Sequence, residues 1–214
     1  MTNTLRTPKV QAVLDRLFAA AARDDDHTPA RPARPHATAA EQSDACQDIY
    51  MPISAEAGRL LYALARAIRP QTVVEFGTSF GISTIYLAAA VTDNGTGRVV
   101  TTELSGKKVE AARANLREAG VAEAVTVLAG DARQTLADLP GPVGLVLLDG
   151  WKDLCLPVLR LLEPKLAPGA LVAADDSSFA SMAGYLGYVR DPASGYVCVS
   201  FPVEDGMEIS SWTG

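Results

Sequence analysis

Two hydrophobic rhythms divide the chain. From residue 72 onward, short apolar runs alternate with stretches whose apolar positions recur at three- and four-residue steps. That is the pattern of strands alternating with amphipathic helices. Strands are predicted at 72–75, 98–103, 124–129, 143–148 and 170–174, and helices at 80–91, 107–119, 133–139 and 154–166. The first of these helices is entered through Gly77 and Gly81, and Gly120 stops the second. Pro157 and Pro164 sit near the two ends of the last. The run at 143–148 is apolar enough for a strand buried on both faces. After Ser181 the rhythm changes, and residues 196–201 and 207–212 read as a closing hairpin. The expected fold is α/β: a doubly wound, mostly parallel sheet of seven strands with right-handed crossovers and a C-terminal antiparallel hairpin.

Ahead of the sheet, residues 8–23 carry Val10, Val13, Leu14, Leu17 and Phe18 at helical spacing. Asp24, Asp25 and Asp26 end that helix poorly, since acids oppose a helix C-terminus. Residues 27–40 hold Pro29, Pro32 and Pro35 and read as a linker or arm. A surface tether is the simpler role, and a lid or dimer contact the alternative. A short helix is expected within 41–50, then one over 55–68 with Ser54 as N-cap and Leu60, Leu61, Leu64, Ala65 and Ile68 as its buried stripe. The expected organisation is a helix and Pro-rich arm over 1–43 and one catalytic-type domain over 44–214.

Composition narrows the function classes. The 214 residues are 48% hydrophobic and 21% charged, as in a soluble globular protein. A net charge of −6 argues against nucleic acid or an anionic membrane as partner. No apolar run is long enough to span a bilayer, and the first residues lack a signal-peptide order, so a cytoplasmic location is expected. Cys46, Cys155 and Cys198 show no metal or disulfide spacing. Both histidines, His27 and His36, fall in the Pro-rich arm, which removes histidine-based catalysis from the core.

Acids cluster where the sheet would place a ligand. Glu75, Glu103, Asp131, Asp149 and the pair Asp175-Asp176 each fall at, or just past, the carboxyl end of a predicted strand. In a parallel sheet those ends share one edge, where open α/β sheets bind ligands. So many carboxylates there call for something cationic or hydrogen-bond donating among them. The first turn, Glu75 to Gly81, lacks the GxGxxG of nicotinamide enzymes, and its acid disfavours a pyrophosphate. Glu103 stands where an acid holds ribose hydroxyls, and Asp131 is placed to accept from an adenine amino group. Ribose, adenine and a charged amino acid together describe S-adenosylmethionine.

The segment Glu75-Phe76-Gly77-Thr78-Ser79-Phe80-Gly81-Ile82-Ser83 resembles the adenosylmethionine loop of class I O-methyltransferases, which have a Rossmann-like fold. Leu148-Asp149-Gly150-Trp151-Lys152-Asp153-Leu154-Cys155-Leu156-Pro157 is similar to the strand-4 motif of the metal-dependent catechol enzymes. Met51 to Gly58, Gly130-Asp131-Ala132, Ala174-Asp175-Asp176 and Asp205-Gly206 follow in the family's order, so the resemblance covers about 44–212. It implies that Ile53, Glu75, Gly77, Ser79, Gly81 and Ser83 surround the methionine end of the cofactor. Glu103 would bind ribose, with Leu104, Asp131, Ala132 and Trp151 around the adenine. Asp149, Asp175 and Asp176 would hold a divalent metal, most simply magnesium, and Lys152 would be the general base. The acceptor would be a small phenolic, catechol-like molecule, and relatives of the caffeoyl-CoA type imply a homodimer.

Three departures bear on the acceptor. The family has Asp-Asn where this chain has Asp175-Asp176. The catechol enzymes' acceptor-binding acid, counted back from Asp205-Gly206, falls on Val199, with Glu204 too near the turn to replace it. Gly150 replaces a bulkier residue and is expected to open the acceptor mouth. The competing readings are a metal-independent methyltransferase of the same fold and a non-catalytic adenosylmethionine-binding protein.

Overall fold

The computed structural model describes residues 3–24 and 38–214. Most of the arm predicted at 27–40, with Asp25, Asp26, His27 and His36, lies outside the described residues. Helix α1 (Pro8–Ala21) begins on Thr7, whose hydroxyl accepts from the Val10 N–H, and buries Val10, Val13, Leu14, Leu17 and Ala21. Helix α2 (Ala39–Ala45) opens with a capping box between Thr38 and Glu41. Helix α3 (Ala55–Ile68) is capped by Ser54 as expected. Its buried stripe is Ala57, Gly58, Leu61 and Ala65, whereas Ile68 is 37% exposed where the last turn leaves the core.

The alternation then follows as β1 (Thr72–Phe76), α4 (Ile82–Asn94), β2 (Arg98–Glu103), α5 (Gly106–Ala119), β3 (Val125–Ala129), α6 (Ala132–Thr135), β4 (Val143–Leu148), α7 (Cys155–Leu162), β5 (Leu166–Ala174), α8 (Ala183–Val189), β6 (Tyr196–Phe201) and β7 (Met207–Trp212). The sheet order is β3-β2-β1-β4-β5-β7-β6, parallel except for β7, which runs against both β5 and β6. Every residue of β1 and nearly every residue of β4 is buried, because helices cover both faces of these central strands. One face packs Leu17, Leu61, Ile85 and Leu116 against the sheet, and the other packs Leu136, Leu159, Met182 and Tyr185.

Several boundaries differ from the pattern. The helix expected at 133–139 is a single turn begun by Asp131, whose carboxylate accepts from Arg133 N–H. The helix expected at 154–166 stops at Leu162, and Pro164 sits in a tight 3-10 turn from which β5 already starts at Leu166. Helix α8, with Gly184 and Gly187 inside it, has no counterpart in the predicted elements. Among the described residues no helix is long and apolar enough to cross a membrane.

The strand order reverses between β1 and β4, and their carboxyl ends lie side by side. Asp149 N–H donates to Phe76 O at 2.9 Å, and Asp175 N–H to Leu148 O at 3.0 Å. Gly77, with φ +102°, makes the close approach possible: a Cβ there would lie 2.4 Å from the Asp149 carbonyl oxygen. This switch point is where such a sheet holds its ligand.

Candidate active site

A cavity of about 460 Å³ opens above the β1–β4 switch point, a volume suited to a small-molecule ligand. Its walls take in Ile53, Gly77, Ser79, Ser83, Glu103, Leu104, Asp131, Ala132, Asp149, Trp151, Lys152, Asp175 and Asp176. Two of the fifteen expected site residues stand behind that wall. Gly81, with φ +90°, packs toward Ala112 and shapes the turn before α4. Glu75 is fully buried beneath the loop.

The environment of Glu75 is unusual for an acid. Its Oε2 accepts from the hydroxyls of Thr84 at 2.5 Å and Thr101 at 2.6 Å, while among the described residues Oε1 has no hydrogen-bond partner. Burial, only partly offset by the hydroxyls of Ser83, Thr101 and Thr84, pushes its carboxyl up to about 7, and Asp149 adds to the rise. Glu103 is held differently. Its Oε2 accepts from Ser79 N–H and its Oε1 from Ser105 N–H, each at 2.8 Å. Two backbone donors therefore fix the carboxylate at the end of β2. Asp131 leans toward Arg133, which donates to both carboxylate oxygens and keeps the carboxyl below its usual range.

At the end of β4 the charges concentrate. One carboxylate oxygen from each of Asp149, Asp175 and Asp176 lies within 4.8 Å of the others. Lys152 Nζ donates to Asp149 Oδ1 at 3.0 Å and to Asp176 Oδ2 at 2.9 Å. Burial and the neighbouring Asp149 and Asp176 raise the carboxyl of Asp175, and burial raises that of Asp149 against the pull of Lys152. Burial alone would lower the pKa of Lys152, but the two carboxylates outweigh it and hold the ammonium above its ordinary range. The general-base role that the resemblance implies for Lys152 needs the neutral amine. A cation drawing the charge of Asp149 and Asp176 to itself would favour that form, because these two carboxylates are what stabilise the ammonium.

The roof is residues 50–54. Tyr50 stacks on Phe80 with ring centroids 3.9 Å apart, and Ser79 Oγ donates to Tyr50 O at 2.7 Å. Asp24 accepts from the N–H groups of Tyr50 and Met51. At the other end, Glu204 Oε2 accepts from Ser54 N–H at 2.8 Å.

A family model described as a methyltransferase domain matches residues 74–177. The catechol O-methyltransferase of Mycobacterium tuberculosis (strain ATCC 25618 / H37Rv) is 39% identical over 141 residues, 65% of this chain and 63% of its own length. The chain resembles the O-methyltransferases in sequence and carries the Rossmann-like fold. Catechol O-methyltransferase B of Danio rerio is 29% identical over 177 residues, 77% of this chain and 66% of the relative. The chain thus spans a little under two thirds of the length of these curated relatives. Among solved structures, cofactor-bound Rv0187 from MTB superposes with a TM-score of 0.70 at 28% identity, covering 96% of this chain and 97% of that one. TomG of Streptomyces achromogenes, an O-methyltransferase solved with S-adenosylmethionine, gives 0.65 at 25% identity over 92% and 99%.

Two wall residues of the cavity were missed by the sequence pattern. Glu204 lines the cavity and acts on both Asp149 and Asp175, whereas Val199, the position reached by counting back from the turn, is 57% exposed on the edge strand. Glu204 reaches inward because its backbone is left-handed, with φ +50°, which no local pattern announces. Lys108 lines the cavity from the first turn of α5. Its signal was present: it stands four residues before Ala112 and eight before Leu116 on the helix's buried stripe. Gly150 does not open the mouth, because the Phe76 ring fills the space that a Cβ would take, 2.4 Å away.

Proposed function

We propose that the chain moves a methyl group from S-adenosylmethionine to one hydroxyl of a small catechol-like acceptor, with a divalent metal at Asp149, Asp175 and Asp176 and Lys152 as base. The observation that carries this reading is the carboxylate triad placed in the same wall as the glycine loop and Glu103. The donor set fits the metal: oxygen ligands alone, clustered so that burial and the charges of Asp149 and Asp176 raise the carboxyl of Asp175, suit a hard dication such as magnesium or manganese. When bound, such an ion supplies charge neutralisation and acidifies a coordinated hydroxyl.

The remaining work belongs to the chain. Glu103, fixed by the Ser79 and Ser105 amides, keeps lone pairs for the ribose hydroxyls. Leu104 and Trp151 offer apolar surfaces to the adenine. Lys152 takes the acceptor proton at Nζ once Asp149 and Asp176 no longer hold it as an ammonium. Met51, Pro52 and Phe179 form an apolar mouth that orients a planar acceptor, and orientation supplies much of the acceleration in such transfers.

The test is transfer of a labelled methyl group to a panel of catechols and monophenols. Turnover confined to vicinal diols, lost with chelator and restored by magnesium, is the expected result. Transfer to monophenols that ignores the chelator would sink the metal-dependent reading. One observation favours that second reading: the Lys152 ammonium bridges Asp149 and Asp176 and offsets part of their charge.

A further inference from the structure

Lys108 is only 4% exposed, yet among the described residues its ammonium donates no hydrogen bond. Lysine is almost never buried to this degree unless paired. What the ammonium has is the face of Phe80, 5.7 Å to the ring centroid, and an open side toward the cavity that both residues line. Burial lowers its pKa, and Glu103 is the acid that opposes this most strongly. Lys108 and Glu103 line the same cavity, and a ligand acceptor atom between them would satisfy the ammonium.

The chemistry of that acceptor follows from Glu103. An ionised carboxylate only accepts hydrogen bonds, so it takes the protons of a diol and leaves the diol's oxygen lone pairs unmatched. An ammonium only donates, and a buried one gains most from such lone pairs. We propose that Lys108 is a cofactor-binding residue that donates to the ribose hydroxyl oxygens of S-adenosylmethionine, completing with Glu103 a donor–acceptor clamp on the diol. The assignment rests on the cofactor reading above. It makes the intact ribose diol, rather than the adenine alone, a determinant of affinity in this chain.

The test is a thermodynamic cycle measured by calorimetry or competition, with S-adenosylhomocysteine and its 2′,3′-dideoxy counterpart as ligands. Lys108→Met is expected to bind S-adenosylhomocysteine about tenfold or more weakly than the native protein, as befits a lost charged hydrogen bond. Both proteins should bind the dideoxy compound equally, within about twofold, because no partner for the ammonium remains. Lys108→Gln, which keeps a donor, should fall between, and it carries the same cycle if the methionine variant does not fold. Equal losses for both ligands, or no loss for either, would overturn the clamp and leave Lys108 a structural residue. Failure of the native protein to bind S-adenosylhomocysteine would overturn the cofactor reading itself, a separate result.

Discussion

Asp149 Oδ1 accepts a hydrogen bond from Lys152 Nζ at 3.0 Å, three residues on, so a proposed metal ligand and a proposed base are already each other's partner. Either the acid is shared with a cation or the lysine stays charged. Lys152→Met separates the two functions. Loss of a general base is expected to lower kcat by ~10²-fold or more. Affinity for S-adenosylhomocysteine should change little, and magnesium affinity should not fall, since a competing cation has been removed. Calorimetry beside steady-state kinetics checks both, and a variant with native kcat would remove Lys152 from the chemistry.

Asp176 offers a finer test. It raises the pKa of Lys152 directly, and Asp176→Asn removes that charge while keeping the shape. A lysine that must be neutral to act is then neutral at lower pH. The acidic limb of the kcat profile should shift downward by roughly half a unit or more, with activity retained at its plateau. An unmoved limb would mean that Lys152 does not set the profile.

Glu75 links function to stability. Its folded-state carboxyl stands near 7, above the ~4.5 of an exposed glutamate, so the folded state binds the extra proton. Stability from this group is therefore present in full below pH ~4.5 and is lost as pH rises toward 7, by an amount on the order of 2–3 kcal/mol. Glu75→Gln removes that dependence. Urea titrations should find the variant more stable than the native protein at pH 8, with the advantage gone or reversed at pH 5. Affinity for S-adenosylhomocysteine is expected to fall with it if the buried carboxylate supports the loop above it.

Glu204 fastens only one end of the roof. Glu204→Ala is expected to speed amide exchange at Ser54, while Tyr50 and Met51, held by Asp24, keep their native rates. Because Glu204 is exposed, the global loss should be small, about 1 kcal/mol or less. Uniform acceleration across 50–54 would show that the roof moves as one piece.

The parts legible in the sequence are those set by repeated local signals. The all-apolar run that became β4, the spacing that gave α1 and α3, and the acids falling at strand ends all repeat or stand at a boundary. The parts that escaped depend on single backbone angles or distant neighbours. Helix α8 is built with Gly184 and Gly187, which weaken any helical pattern, and tertiary packing of Tyr185 and Val189 holds it. Val199 pairs with Ile209 in a regular hairpin, and the left-handed turn at Glu204 then brings the acid over the cavity. The ion pairs of Lys152 needed Asp176, twenty-four residues further on, to be placed beside it.

Phe76 and Gly150 divide one volume between them, the ring occupying what a side chain at 150 would need. These two positions are thus coupled in size. A methyl group at 150 must displace the ring, while a smaller residue at 76 makes room for it. Gly150→Ala alone should be damaging and Phe76→Leu alone should leave a void, yet the pair together should recover much of what each loses. Reshaping this wall of the cavity therefore starts at a strand residue, Phe76, before it reaches the motif itself.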